Sequence, residues 1–312
     1  MNEVLVFGNL QLDVLCKPVS SLPMPGELRK IEQVDFALSG NGGNLAIALA
    51  RLGMPVSLVG YSGADMVGEQ FRAILAAEGV NVDRLARHAS LGTGTSFVAI
   101  SPSGEKSVLF VNGANEAFAL DDVPDDWLGG AQFVAVCSLF VLPQFTGDAV
   151  GRLFARARRC GATTVLNTCW DGERRGLAFL RPALAEADYF VLNHDEGRQL
   201  THRDRPEDIL DVLAPCTSGT VILTLGDAGC CFCANGAFVR VPAVPVAATD
   251  TTGAGDAFIA GFIAGLAHGL SLEACARLGC RVAAFAVTGP GAYPRIPRVK
   301  DATELLQEEA TP

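Results

Sequence analysis

Residues 250–258 read Asp-Thr-Thr-Gly-Ala-Gly-Asp-Ala-Phe and open directly into a nearly unbroken apolar stretch that continues to Leu270. The small residues Gly253, Ala254 and Gly255 bring no bulk, so consecutive backbone N–H groups can point outward at the positive end of the helix that the apolar run predicts. An anion is stabilised at such a place. Asp256 falls inside that pocket, poorly suited to holding an anion but well suited to taking a proton from a hydroxyl that attacks a bound phosphate. An ordinary loop with a helix-capping Asp is the competing reading. The apolar stretch itself favours the first: Gly261, Gly265 and Gly269 recur every four residues, which predicts a glycine face packed closely on a sheet while the helix start stays open. Membrane helix dimers use the same spacing, but this stretch holds His268 and is too short to span a bilayer.

The rest of the chain suits a globular enzyme. With 312 residues, 49% of them hydrophobic, it can bury a large α/β core and a small second element. The net charge of −10, with no run of Lys or Arg, argues against nucleic-acid or anionic-membrane partners. Glu3-Val-Leu-Val-Phe-Gly8 is a buried-strand pattern with no basic segment ahead of it, so a secretory signal is not expected and the protein is read as cytoplasmic. Ten cysteines raise the question of zinc or disulfides. Cys230 and Cys233 form one Cys-x-x-Cys spacing, yet no second pair accompanies them and Cys275 and Cys280 are wrongly spaced for one, so scattered buried thiols are the simpler reading.

Short apolar runs at 4–8, 56–61, 133–137, 163–167, 189–193 and 221–225 alternate with helical patterns. Alternation of this kind signals an α/β fold with a parallel sheet covered by helices. Two segments break it: 11–36, with Pro18, Pro23, Pro25 and Gly26, and 93–111, which predicts a hairpin around Pro102-Ser-Gly104. Neither has a helical period. Both are assigned to a small discontinuous β-sheet, leaving 1–10, 37–92 and 112–312 as the main domain.

The segment 250–297 resembles the second signature of the phosphofructokinase B (PfkB), or ribokinase-like, family of carbohydrate and nucleoside kinases. Ser39-Gly-Asn-Gly-Gly-Asn44, opening a helix of small residues, is similar to the family's first signature, and lacks both the P-loop ending and the dinucleotide fingerprint. The resemblance implies a three-layer α/β/α fold with a central mainly parallel sheet and the small sheet as a lid, and ATP with magnesium as cofactors. Asp256 would be the base and the amides of 253–256 the anion hole. On the substrate side it places Asp13 on the sugar hydroxyls, lets Gly42 and Gly43 bring the sugar to the backbone, and gives Asn44 a hydrogen-bonding role. For Asn44 a simple helix cap competes, and for Asp13 a solvated loop residue.

Asn193-His-Asp-Glu196 matches the family's Asn-x-x-Glu element, so Glu196 and Asn193 would organise magnesium through water, with a first-turn acid as the alternative for Glu196. Thr224-Leu-Gly-Asp-Ala-Gly229 resembles the nucleotide loop, with Thr224, Gly226 and Gly229 near phosphate and ribose. A plain hairpin turn explains those glycines as well. The adenine would lie near residues 289–292, Gly291 among them, and the helix containing Cys280, and a homodimer through the lid is implied by relatives.

Two departures stand out. At the place of a substrate-binding Glu this chain reads Ser138-Leu139-Phe140, which removes an acceptor, offers the aromatic face of Phe140 and weakens the case for ribose. Asp250 and Thr252 match a monovalent-cation loop, but Arg295 stands where potassium-dependent members often carry Ser. Arg29, Lys30 and Lys106 fall in the lid, as contacts for a phosphosugar or as solvated charges. The function expected is an ATP-dependent kinase of a small sugar, sugar acid or nucleoside; a catalytically idle ligand sensor or scaffold is the alternative, and an NAD-dependent oxidoreductase lacks its fingerprint.

Overall fold

Strands form where the apolar runs predict them, and further strands appear beyond those runs. The computed structural model describes residues 3–120, 123–234 and 236–307; the outermost residues of the expected main domain, 1–2 and 308–312, lie outside these. The strands are β1 (Glu3–Phe7), β2 (Gln11–Lys17), β3 (Gln33–Ser39), β4 (Val56–Gly63), β5 (Leu85–His88), β6 (Thr95–Ile100), β7 (Lys106–Val111), β8 (Ala131–Val136), β9 (Thr163–Asn167), β10 (Tyr189–Asn193), β11 (Thr220–Thr224), β12 (Cys230–Ala234) and β13 (Ala237–Val241). The helices are α1 (Asn41–Arg51), α2 (Met66–Ala77), α3 (Gly147–Arg159), α4 (Gly176–Ala185), α5 (His194–Thr201), α6 (Pro206–Leu213), α7 (Ala254–Ala267), α8 (Leu272–Ala286) and α9 (Glu304–Gln307).

One sheet runs β13-β12-β11-β10-β9-β8-β1-β4-β5, parallel except for the β12 and β13 ladder at one edge, and a second runs β3-β2-β6-β7. Successive strand residues point to opposite faces, and β1 shows the result. Val4 and Val6 join the core made with α1, α2, α7 and α8, whereas Leu5 and Phe7 join the core made with α3, α4 and α6. All four are fully buried, each contributing on the order of 1.5–3 kcal/mol. This is the three-layer arrangement expected. No helix among the described residues is long and apolar enough to cross a membrane.

The glycine face of α7 packs differently from the expectation. A Cβ at Gly261 would lie 2.7 Å from the Leu278 carbonyl oxygen and one at Gly265 2.9 Å from Cys275 Cα, so both face α8 and not the sheet. Gly269 lies past the helix end. The reason is that α7 is apolar all round. Phe262 meets the sheet, packing edge-on to Tyr189 with ring centroids 5.2 Å apart, and the smallest residues fall where two helix backbones approach most closely.

In the small sheet β2 pairs parallel with β6, and the outer pairs are antiparallel, including the hairpin of β6 and β7. The register aligns Asp13 with Ala37 and Ser96, and Ser96 with Phe110, on one face; Phe36, Val14, Phe97 and Leu109 form a row on the other. Phe36 is 70% and Leu109 64% exposed. The chain enters and leaves this sheet at one waist. Asn115, 2% exposed, receives the Leu10 N–H on Oδ1 at 3.1 Å and donates from Nδ2 to Leu10 O at 2.8 Å. Gly40 and Gly94 press against the same turn: a Cβ at either would lie within 2.5 and 2.7 Å of the Asn9 and Leu10 carbonyl oxygens.

Candidate active site

β1 pairs with β4 on one side and β8 on the other, and α1 and α3 lie on opposite faces of the sheet. The carboxyl ends of β1 and β8 therefore flank a topological switch point, where open α/β sheets bind ligands. Both glycine-rich segments converge there. The start of α1 rests on the end of β1, since a Cβ at Gly42 would lie 2.7 Å from the Gly8 carbonyl carbon, and one at Gly43 2.9 Å from Leu10 Cδ2. Neither glycine therefore has room for a side chain.

Asp256 lies in the first turn of α7 and is 4% exposed. Two amides from the first turn of α1 hold it: Asn41 Nδ2 donates to Oδ1 and Asn44 Nδ2 to Oδ2, each at 3.0 Å. Burial pushes the carboxyl up to about 6, against the pull of those amides. Asn44 thus serves the carboxylate, and Asn41, which the sequence did not single out, serves it equally. Ser138 donates to Asn41 Oδ1 at 2.6 Å from a left-handed backbone at φ 57°, ψ 37°, a conformation that costs a non-glycine residue about 1–2 kcal/mol. The aromatic face expected of Phe140 is turned inward: Phe140 is 5% exposed and stacks on Phe179 at 5.8 Å.

Gly253 caps α7 at φ 75°, and a Cβ there would fall 2.2 Å from Ala292 Cβ. Gly255 faces open space. The first N–H groups of a helix have no partner within it; that of Ala254 donates to Thr251 O at a long 3.3 Å. Ahead of them, Asp250 accepts from Thr252 N (3.0 Å), Thr252 Oγ1 (2.7 Å) and Gly291 N (3.1 Å). Burial raises its pKa, but these three donors outweigh burial and hold it below the usual carboxylate range.

A cavity of ≈ 490 Å³ adjoins the helix start and brings together Thr224, Gly226, Gly229, Ala254, Gly255 and Cys280. Its walls are largely apolar, with Val244, Val246, Ala284 and Val287 among them. Gly291 is not among its lining residues, and its N–H donates to Asp250. The strap at 243–248 escapes sequence reasoning, although Pro242 and Pro245 among valines and alanines mark an extended apolar segment. Cys280 lies with its sulfur 4.0 Å from that of Cys230, and all ten cysteines are free thiols.

Asn193 and Glu196 form a complete capping box at the start of α5: Glu196 N donates to Asn193 Oδ1 at 2.9 Å, and Asn193 N to Glu196 Oε2 at 3.1 Å. Burial pushes Glu196 up to about 7, and the charge of Asp256 adds to the rise. Asp13 is half-buried within β2, bonded to the hydroxyls of Ser39 and Ser96 and within the field of Lys106; burial dominates and raises its pKa.

A large, mainly parallel sheet covered by helices on both faces, with a small separate sheet, is the fold this chain shares with solved ribokinases. The chain belongs to the pfkB family of carbohydrate kinases, whose profile matches residues 1–298. It is 29% identical to ribokinase of Schizosaccharomyces pombe over 95% of each chain, and 30% identical to fructokinase of Klebsiella pneumoniae over 86% of this chain and 91% of that one. The structure of Arabidopsis thaliana ribokinase complexed with ribose and ATP matches with a TM-score of 0.87 at 26% identity, over 99% of this chain and all of the other. As a family member the chain is an ATP-dependent carbohydrate kinase.

Proposed function

We propose that the protein transfers the γ-phosphate of ATP to a hydroxyl of a small sugar, sugar acid or nucleoside, with Asp256 as general base. The placement of Asp256 supports this most strongly: it is a buried carboxylate at a helix start, clamped by two amides and next to the cavity that Gly255 lines. ATP takes the cavity, its base against the apolar walls and its phosphates toward Gly253, Ala254 and Gly255, with Thr224, Gly226 and Gly229 along the ribose and phosphates. The acceptor lies between Asp13 and Asp256. Asp256 removes the hydroxyl proton as the oxygen attacks, and the backbone amides of residues 253–256 offset charge on the transferring group.

Both oxygens of Glu196 are engaged by Asn193 and Thr168, so Glu196 and Asn193 fit a magnesium ion only through its waters, and burial with the Asp256 charge disfavours the ionised Glu196 that a dication would stabilise. Magnesium when bound would neutralise phosphate charge. Potassium fits poorly. The Asp250 carboxylate is already engaged by three donors, and the Arg295 side chain packs within 2.5 Å of the Cβ direction of Gly289, so the cation loop expected from Asp250 and Thr252 works here as a clasp.

The small sheet acts as the lid over the acceptor, bringing Asp13 and excluding water that would hydrolyse ATP. Its outer row of Phe36, Phe97 and Leu109 forms a homodimer contact, since exposed apolar strands invite pairing. The reading is tested by acceptor-dependent ADP release over ribose, fructose, 2-keto-3-deoxygluconate, adenosine, pseudouridine and fructose phosphates. Nucleotide binding without turnover on any of a full acceptor panel would favour an idle ligand sensor instead.

A further inference from the structure

Asp256 has two carboxylate oxygens, and each already carries one amide hydrogen bond, from Asn41 and from Asn44. Those two asparagines stand three residues apart in the first turn of α1, so they rise on one face of the helix like two prongs. A carboxylate gripped at both oxygens has its plane fixed. Its remaining lone pairs then point in one direction, which is what a base needs to meet a hydroxyl within hydrogen-bond reach.

The grip depends on which way the Asn41 amide faces. Its oxygen and its nitrogen have nearly the same shape, and the wrong orientation would set oxygen against the carboxylate. Ser138 resolves the choice. Its hydroxyl reaches Asn41 at 2.6 Å from a position that is fully buried, at the end of β8 and in a left-handed conformation that a serine adopts only when its surroundings impose it. With Asp256 ionised, the hydrogen-bond polarity runs one way only: Ser138 O–H donates to Asn41 Oδ1, and Asn41 N–H donates to Asp256. These links span 97 and 215 residues of sequence and tie the sheet, α1 and α7 together.

We propose that Ser138 and Asn41 are positioning residues of the phosphoryl-transfer step: Ser138 locks the Asn41 amide, and Asn41 with Asn44 aims Asp256 at the acceptor hydroxyl. The proposal rests on the reading of Asp256 as the base. It also gives the departure at position 138 a meaning, because a hydroxyl spent on Asn41 is not a sugar contact. The acceptor pocket therefore receives neither a carboxylate nor a free hydroxyl from this strand end, and acceptor selection falls to Asp13 and its neighbours.

The test is steady-state kinetics on Asn41→Ala, Ser138→Ala, Ser138→Thr and the double variant, with the acceptor found by the ADP-release screen. Misaiming a base lowers turnover more than binding, so Asn41→Ala is expected to lower kcat about 100-fold and Ser138→Ala about tenfold, with KM for ATP and acceptor changed less than about threefold. Ser138→Thr keeps the hydroxyl and restores most of the loss. In the double variant Ser138→Ala adds nothing to Asn41→Ala, because it acts through that residue. Wild-type kcat in Asn41→Ala, or losses that multiply in the double variant, would overturn the proposal; should Ser138→Ala not fold, Asn41→Ala alone decides. Asp256→Asn separates the two levels. If it retains turnover the base reading fails, and if it is inactive while Asn41→Ala is normal, only the positioning role fails.

Discussion

Asp256 Oδ2 accepts a hydrogen bond from the Asn44 amide across 3.0 Å, and this contact ties the first turn of α7 to the first turn of α1. Two positive helix ends thus face one carboxylate. Asp256→Asn keeps the size of the side chain and removes the proton acceptor. Turnover is expected to fall by roughly 10²–10⁴-fold, while ATP affinity measured by calorimetry stays near that of the wild type. Turnover close to wild type would remove Asp256 from the chemistry.

The same burial sets a pH dependence. Asp256 is raised to about 6, and only its ionised form can accept a proton, so kcat/KM should fall about tenfold per unit below that pH. Stability moves the other way. A carboxyl whose folded pKa lies above its unfolded 3.8 binds its proton more tightly when folded, so its contribution is complete below the unfolded value and is lost as pH rises through about 6. Glu196, raised to about 7, adds to the same trend. Asp256→Asn should therefore melt a few degrees higher than the wild type at pH 8 and show no such gain at pH 4; equal melting at both would contradict the burial argument.

Neighbouring glycines in one loop should respond in opposite ways. Gly253→Ala forces a side chain into Ala292 at a left-handed backbone and is expected to cost on the order of 2 kcal/mol or more. Gly255→Ala meets open space inside a helix and should leave the melting temperature unchanged or slightly higher. Its methyl group projects where phosphates are proposed to lie, so KM for ATP should rise about tenfold. Normal ATP affinity in Gly255→Ala would move the phosphates elsewhere.

Asp13 offers the clearest acceptor test. Asp13→Asn leaves the Ser39 and Ser96 hydroxyls in place and removes a charge-assisted acceptor. KM for the acceptor should rise roughly 10–100-fold with KM for ATP unchanged. A parallel rise in both would point to a general disturbance of the small sheet.

The exposed row on the small sheet predicts the assembly state. Phe36→Asp with Leu109→Asp places charge at the two edge-strand ends of the row without touching Asp13 on the opposite face. Light scattering coupled to gel filtration should read a dimer for the wild type and a monomer for the variant. A monomeric wild type would refute the dimer.

Much of this molecule is legible in its sequence. The six apolar runs become strands because their burial pattern is local, and the small residues at 253–255 announce the start of α7 through composition alone. Asn193 and Glu196 are visible as a spaced pair because a capping box is a local device. What stays hidden depends on distant partners. Nothing in the sequence near Asn41 says that Ser138 and Asp256 will meet it, and nothing near Gly42 says that Gly8 will lie against it. Gly291 and Phe140 differ from expectation for a related reason: whether a loop residue faces ligand or protein is decided by packing, and their packing partners are Asp250 and Phe179.

The Asn115 staple has a mechanical consequence. Asn115 bonds both backbone groups of Leu10, and Gly40 and Gly94 press on the same turn, so the strand ends of the small sheet are gathered at one tight clasp. Flexing within its four hydrogen-bonded strands is hard, so any movement of this sheet would carry Asp13, Ser96 and Phe110 together as one rigid plate.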